Sequence, residues 1–305
     1  MIKMSSGQPS PTPHPSKLRQ DKRKNLAGGS AGEGGFDFQA EAAALVEAKM
    51  LAKQSLNWVD APGDRIPELI AAETGTGGDD LRVTLTSGYV VDVQSKKGLQ
   101  RGIELWQSMV DLANAVESTT NVYGVLLTNS SASGTVRVQL KNAIERIGDG
   151  RTDDLPEIAT EFLKQLRNAD IKNVEVCCKR LRIIIRDFEV GSSGEEETLA
   201  ALRTVITSHG SVVAARNTLI SESHDLINRR GRLNVTDLAR KLSQSGILLS
   251  RTAINPLVVR QAFLELSRRT NETFLIPTLG VALPIDRAWV ALRAMEAPLA
   301  GSPIK

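Results

Sequence analysis

The spacing of apolar and polar positions changes period several times along the chain, and each change marks an element. Residues 34–39 lead into a helical run ending near residue 55, alanine-rich and with Ala42, Leu45, Val46, Met50 and Leu51 at helical spacing. Over residues 66–97 (IPELIAAETGTGGDDLRVTLTSGYVVDVQSKK) the period shortens. An apolar run over 66–72 reaches Glu73, and Thr74-Gly75-Thr76-Gly77-Gly78 forces a turn. Over 81–86, Leu81, Val83 and Leu85 alternate with Arg82, Thr84 and Thr86, the pattern of a half-buried strand. Ser87-Gly88 makes a tight hairpin into a third strand over 89–94. Helical spacing returns over 101–116 through Ile103, Leu105, Trp106, Met109, Val110 and Leu112. The unbroken apolar run at 122–128 suits a strand buried on both faces. A polar turn at 129–133 precedes a helix over 135–147.

Beyond residue 148 the pattern loosens. Gly148, Gly150, Asp153 and Asp154 mark a boundary. Residues 155–168 read as an amphipathic helix with Pro156 in its first turn. Residues 174–178 and 181–185 have strand composition, and 195–206 and 211–227 read as helices, with Gly231 as a C-cap. Asn234 N-caps a helix that Gly246 ends, and 250–268 supplies a further helical stretch. Two short helices joined through a glycine fit a helix-turn-helix, although plain packing accounts for them as well. Residues 1–33, rich in Ser, Pro and Gly with Lys17, Arg19, Lys22, Arg23 and Lys24, read as a disordered basic arm. Such an arm either touches DNA phosphates non-specifically or only solubilises. Residues 298–305 read as a flexible tail.

Composition narrows the classes. The 305 residues are 41% hydrophobic and 24% charged, ordinary for a globular protein with ample core. No run approaches a membrane span and no signal peptide opens the chain, so a cytoplasmic location without membrane attachment is expected. Cys177 and Cys178 are adjacent and His14, His209 and His224 scattered, which argues against disulfides and zinc. The net charge of +3 permits a local nucleic-acid patch without arguing for one.

The chemistry concentrates in 66–97. Alternate strand residues share a face, so Asp92, Gln94 and Lys96 point the same way, and Asp79 and Asp80 sit at the mouth of the preceding strand. An acid, an amide oxygen and an ammonium converge. Phosphodiester hydrolysis uses a divalent cation to neutralise phosphate and generate hydroxide, and Mg²⁺ accepts one or two carboxylates with water and phosphate oxygens completing its shell. A nearby lysine positions water or stabilises developing charge. The same residue types also occur in ordinary hairpins.

These residues resemble the PD-(D/E)xK nuclease superfamily, which has an Asp before one strand and a Glu-x-Lys or Gln-x-Lys on the next. The form here is most similar to Mrr-type restriction nucleases, and within them to the dsDNA endonuclease domain of bacterial anti-phage effectors. Those domains occur fused to SAVED sensors in CBASS and beside HerA-type ATPases. The first core helix of that family opens as Gly34, Gly35, Phe38, Gln39 and Ala43 do here, and the order helix, three strands, helix, strand, helix matches over 34–148. The resemblance implies an α/β restriction-endonuclease-like core (αβββαβ, a mixed sheet flanked by helices) over 34–150, then a mainly helical accessory or oligomerisation domain over 151–297.

The resemblance also implies roles. Asp80 is the central metal ligand, with Asp79 its alternative because strand register is uncertain by one residue. Gln94 gives its own or a neighbouring carbonyl to the same Mg²⁺, for which Mn²⁺ substitutes, and Glu73 is a second acid. Lys96 is the catalytic lysine. Asp92 and Gln39 are supporting, and Lys97, on the opposite face, is a solvated charge. The expected activity is Mg²⁺-dependent cleavage of double-stranded DNA with weak or no sequence specificity, in anti-phage defence. Expected partners are duplex DNA, further copies of the chain, and a HerA-like hexameric ATPase or another co-encoded sensor. Two alternatives stay open: an inactive nuclease-fold module that binds DNA or scaffolds a complex, and an RNA-directed nuclease.

Overall fold

A computed structural model of the chain describes residues 31–72, 80–207, 211–250, 273–276 and 281–284. The elements run α1 (Ala31–Ala52), β1 (Pro67–Ala72), β2 (Leu81–Leu85), β3 (Val90–Ser95), α2 (Ile103–Ser118) and β4 (Val122–Thr128). A π-helical turn, Thr135–Leu140, continues into α3 (Lys141–Gly148). Then come α4 (Glu157–Asn168), α5 (Val174–Arg180), β5 (Leu181–Ile185), α6 (Ser193–Arg203), α7 (Ser211–Arg229), β6 (Arg232–Asn234) and α8 (Val235–Gln244). A separate antiparallel pair joins β7 (Thr273–Ile276) to β8 (Val281–Pro284). The expected helix over 250–268 and the basic arm fall almost wholly outside the described residues.

Six strands form one mixed sheet in the order β5-β4-β3-β2-β1-β6. The hairpin-linked strands β1, β2 and β3 pair antiparallel, as does β6 with β1, while β3, β4 and β5 are mutually parallel. Parallel neighbours need long crossovers, which α2 supplies between β3 and β4, and α3 to α5 between β4 and β5. The order α1-β1-β2-β3-α2-β4 is the one the apolar pattern anticipates.

Two layers of helix cover the sheet. On one face Leu105, Met109 and Leu112 of α2, Ile144 of α3, Phe162 of α4 and Cys177 and Cys178 of α5 pack against Leu126, Leu181 and Ile183. On the other face lies α1, and outside α1 lie α6, α7 and α8. Val91, Val93, Val125 and Leu127 share one apolar core with Leu45, Val46 and Met50 of α1 and with Leu202, Leu219, Leu226, Leu238 and Leu242. A helix enclosed on all sides shows no polar stripe, and Ala40, Ala42, Ala43, Ala44 and Ala48 are all buried. The helical spacing of its larger residues understates this enclosure.

Three expectations are corrected. The boundary near residue 150 does not divide the sheet, because β5 and β6 come from beyond it and pair with β4 and β1. Residues 174–178 form a helix rather than a strand: the Asn173 side chain accepts from Val176 N at 3.1 Å, a local N-cap that outweighs strand composition. At the end of α7 the left-handed residue is Arg230 (φ 50°), not Gly231, whose N–H instead bonds Leu226 O at 2.9 Å to close a Schellman turn. Asn234 and Gly246 behave as expected. Asn234 Oδ1 accepts from Asp237 N, and Gly246 ends α8 at φ 75°.

Candidate functional site

The β2–β3 ladder sets the geometry. Leu81 pairs with Val93, which sets Asp80, just before β2, beside the last residues of β3. Asp80 N donates to Val93 O at 2.9 Å. The Asp80 carboxylate then turns toward the end of β3. Its Oδ2 accepts the Ser95 N–H at 2.7 Å and lies 3.6 Å from Lys96 Nζ. Lys96 itself is fixed through its backbone, donating to Leu127 O of β4 at 2.9 Å. From α1, Gln39 reaches the same point: its Nε2 donates to the main-chain oxygen of Asp80 at 2.9 Å.

The structure therefore brings together Asp80, Lys96 and Gln39, with Gln94 next to Ser95 on β3. The Asp80 and Lys96 side chains keep 23% and 28% of their surface in contact with solvent, so the pair is open to a ligand. Gln94 is 8% exposed. Glu73 and Asp79 lie outside the described residues. Asp92 has another task, since both its oxygens bond to Arg82, to Nε at 2.6 Å and to Nη2 at 2.7 Å, with its side chain fully buried. It ties β2 to β3 behind the site. Lys97, expected to be a solvated charge, lies 3.2 Å from Glu189.

Two contributors escaped sequence reasoning. Ser95 acts through its backbone N–H, which no residue type announces. Asn129, in the polar turn after β4, accepts Gly98 N and Ser131 Oγ, each at 2.8 Å, and so holds together the loops leaving β3 and β4. Its signal was the turn itself, in which Asn commonly bonds local backbone.

The donor set suits a hard cation. The partly exposed Asp80 carboxylate is within what Mg²⁺ takes from protein when water and phosphate supply the remainder. Among the described residues no group of three His, Cys, Asp and Glu side chains comes together in a metal-binding arrangement. Elsewhere, burial pushes the Cys177 thiol up to about 12 and raises that of Cys178 too, leaving both unreactive. Among the described residues no helix is long and apolar enough to cross a membrane.

No family model matches the chain, and no curated protein matches it. Among solved structures it is similar to the Acinetobacter baumannii Cap4 SAVED/CARF-domain containing receptor with the cyclic trinucleotide 2'3'3'-cAAA, at 15% identity and a TM-score of 0.43. The match covers 69% of this chain and 46% of that one. The Moraxella osloensis Cap4 SAVED/CARF-domain containing receptor is similar at 13% identity and a TM-score of 0.42, covering 69% and 47%. The chain thus spans about half the length of the solved structures it resembles.

Proposed function

We propose that the chain is a metal-dependent endonuclease that cuts phosphodiester bonds of double-stranded DNA at the edge formed by Asp80, Gln94 and Lys96. The observation that carries this reading is the approach of Lys96 Nζ to Asp80 Oδ2 at 3.6 Å, at the solvent-open end of a sheet. The Ser95 N–H and Gln39 hold the aspartate in place. Asp80 and Gln94 would hold a Mg²⁺ or Mn²⁺ ion, with Glu73 or Asp79 as further oxygen donors. Such an ion supplies neutralisation of the phosphate and a lowered pKa for water. Lys96 then orients the attacking water or stabilises the negative charge that builds on the phosphoryl oxygens. The Gln94 amide, where a carboxylate would add charge, leaves the ion more dependent on the bound phosphate.

The setting we propose is anti-phage defence. A nuclease with weak or no sequence preference harms its host unless restrained, so activity is held back until copies of the chain assemble or a co-encoded partner, such as a HerA-like hexameric ATPase, engages it. A second reading, a nuclease-fold module that binds DNA without cutting, is favoured by Gln94 alone.

Plasmid cleavage in Mg²⁺ separates the two. The intact chain, the Lys96→Ala variant and EDTA-treated protein are compared over a range of concentrations, with and without the product of the neighbouring gene. Cleavage by the intact chain only supports the nuclease. Equal cleavage by Lys96→Ala removes the chemistry from this edge, and DNA binding without cleavage under every condition favours the module.

A further inference from the structure

Lys97 has no part in the proposed chemistry, yet its surroundings are firmly built. Successive residues leaving β3 point to opposite faces, so Lys96 turns toward Asp80 and Lys97 toward α1 and the turn that follows β5. There its Nζ lies 3.2 Å from Glu189 Oε1, with side chains 44% and 65% exposed.

The turn carrying Glu189 is tied down at almost every residue. Asp187 Oδ1 accepts both the N–H and the hydroxyl of Ser130, at 2.9 and 2.8 Å, which joins the turn to the loop leaving β4. Asp187 O accepts from Gly194 N at 2.9 Å and from Ser192 Oγ at 2.6 Å. The chain passes so closely that a Cβ on Gly194 would sit 2.5 Å from Asp187 O. Phe188 packs edge-on against Phe38, their centroids 5.4 Å apart, one residue before Gln39 reaches Asp80. Phe188 O also accepts from the buried Arg216 at 3.2 Å, and Arg216 lies 3.5 Å from Glu41. Glu189 is therefore presented to Lys97 by a rigid support shared with the site.

Resting on the nuclease reading above, we propose that Lys97 is a second phosphate-binding lysine of the DNA edge and that Glu189 is a placeholder carboxylate which the duplex displaces. Two lysines on opposite sides of one strand end would reach two different phosphates of the backbone, one at the metal edge and one beside it. An exposed ion pair is weak enough to exchange. A phosphate on duplex DNA adds counterion release on contact with Lys97, which a lone carboxylate does not. The exchange therefore favours a polyanion over a small anion, and Glu189 lowers the affinity for every ligand that needs Lys97.

The test uses the full chain and a fluorescent duplex of about 20 base pairs, read by anisotropy in EDTA from about 50 to 200 mM KCl. Four proteins are compared: the unaltered chain, Glu189→Gln, Lys97→Ala, and both changes together. Both side chains are exposed, so the variants are expected to keep the fold. Glu189→Gln should tighten binding about 1.4- to fivefold, the range an exposed ion pair spans. Lys97→Ala should weaken binding and flatten the slope of log affinity against log salt by about one. In the Lys97→Ala chain, Glu189→Gln should then add almost nothing. An equal gain from Glu189→Gln in both backgrounds would mean general repulsion relieved and overturns the proposal, as does the absence of any gain. Failure of all four proteins to bind duplex overturns this inference and leaves the nuclease reading to plasmid cleavage in Mg²⁺, and binding that ignores residue 189 overturns this inference alone.

Discussion

Gln39 and Asp80 are 41 residues apart in sequence and are joined by one hydrogen bond, from the Gln39 Nε2 to the Asp80 main-chain oxygen at 2.9 Å. The bond links the central helix α1 to the mouth of β2, and it fixes the backbone on which the carboxylate turns. Gln39→Ala should therefore act on rate as well as on stability. The lost bond leaves the Asp80 oxygen without this donor, at a cost of about 1–3 kcal/mol. That corresponds to a Tm lower by several degrees in a chain of this size. DNA cleavage at a temperature where the variant is fully folded should fall by about tenfold or more. A fall in rate that merely tracks the unfolded fraction would assign Gln39 to packing.

Removal of the chemical groups should separate more sharply. Asp80→Asn and Lys96→Ala each delete one charge from a partly exposed edge, so folding should change little. Cleavage should drop by about 10²–10³, the usual loss for a positioned electrostatic group. Plasmid nicking alongside circular dichroism melts checks both halves of the expectation.

The Arg82–Asp92 pair should show the opposite signature. Asp92 is fully buried and Arg82 partly so, and the two close a doubly bonded link across β2 and β3. Removing one member of a buried pair costs about 3–5 kcal/mol, and the partial exposure of Arg82 places Asp92→Ala toward the lower end. Urea midpoints should fall accordingly, with the residual activity per folded molecule close to that of the unaltered chain. A large loss of that activity would return Asp92 to the chemistry.

Glu47 on α1 makes stability depend on pH. Its side chain is fully buried against α7, where Oε1 accepts from Ser223 Oγ at 3.2 Å and Oε2 has no hydrogen-bond partner. Burial raises its pKa well above 4.5, with the nearby Glu222 adding to the effect and Lys241 and the Ser223 bond opposing it. The folded value thus exceeds the unfolded one. The contribution to stability is complete below about pH 4.5 and is lost as pH rises through the folded value. Glu47→Gln keeps the shape without the titration. Its stability relative to the unaltered chain should grow as pH rises from about 4.5, by about 1.4 kcal/mol per unit until the folded pKa is reached. Denaturant titrations between about pH 4 and 8 test this, and parallel curves for the two proteins would refute it.

Legibility in the sequence followed locality. The strand ends at 72, 81 and 128, the hairpin through Ser87-Gly88 and the capping by Asn234 and Gly246 depend on neighbours in sequence, and each was readable from residue type and period. Asp80 and Lys96 were readable too, because a hairpin converts their spacing into proximity. Residues 174–178 were not, because four apolar residues around Glu175 fit either period and a single Asn173 cap decides between them. Nor was the place of β5, which pairs with β4 across more than fifty residues of helix and loop. The three-residue β6 carries too few positions to show any alternation. At the site, the Ser95 contribution stayed hidden because a backbone N–H is common to nearly every residue type.

The enclosure of α1 bears on how the chain can be divided. A piece ending near residue 150 would hold Asp80, Gln94 and Lys96, yet α1 would keep its sheet-facing side covered and lose the apolar cover that α6, α7 and α8 now give it. It would also lose β5 and β6, baring the sheet along two new edges that invite pairing with other chains. The edge formed by Asp80 and Lys96 is therefore not a portable cassette. Grafting it elsewhere would require the whole stretch from α1 to α8 to travel together.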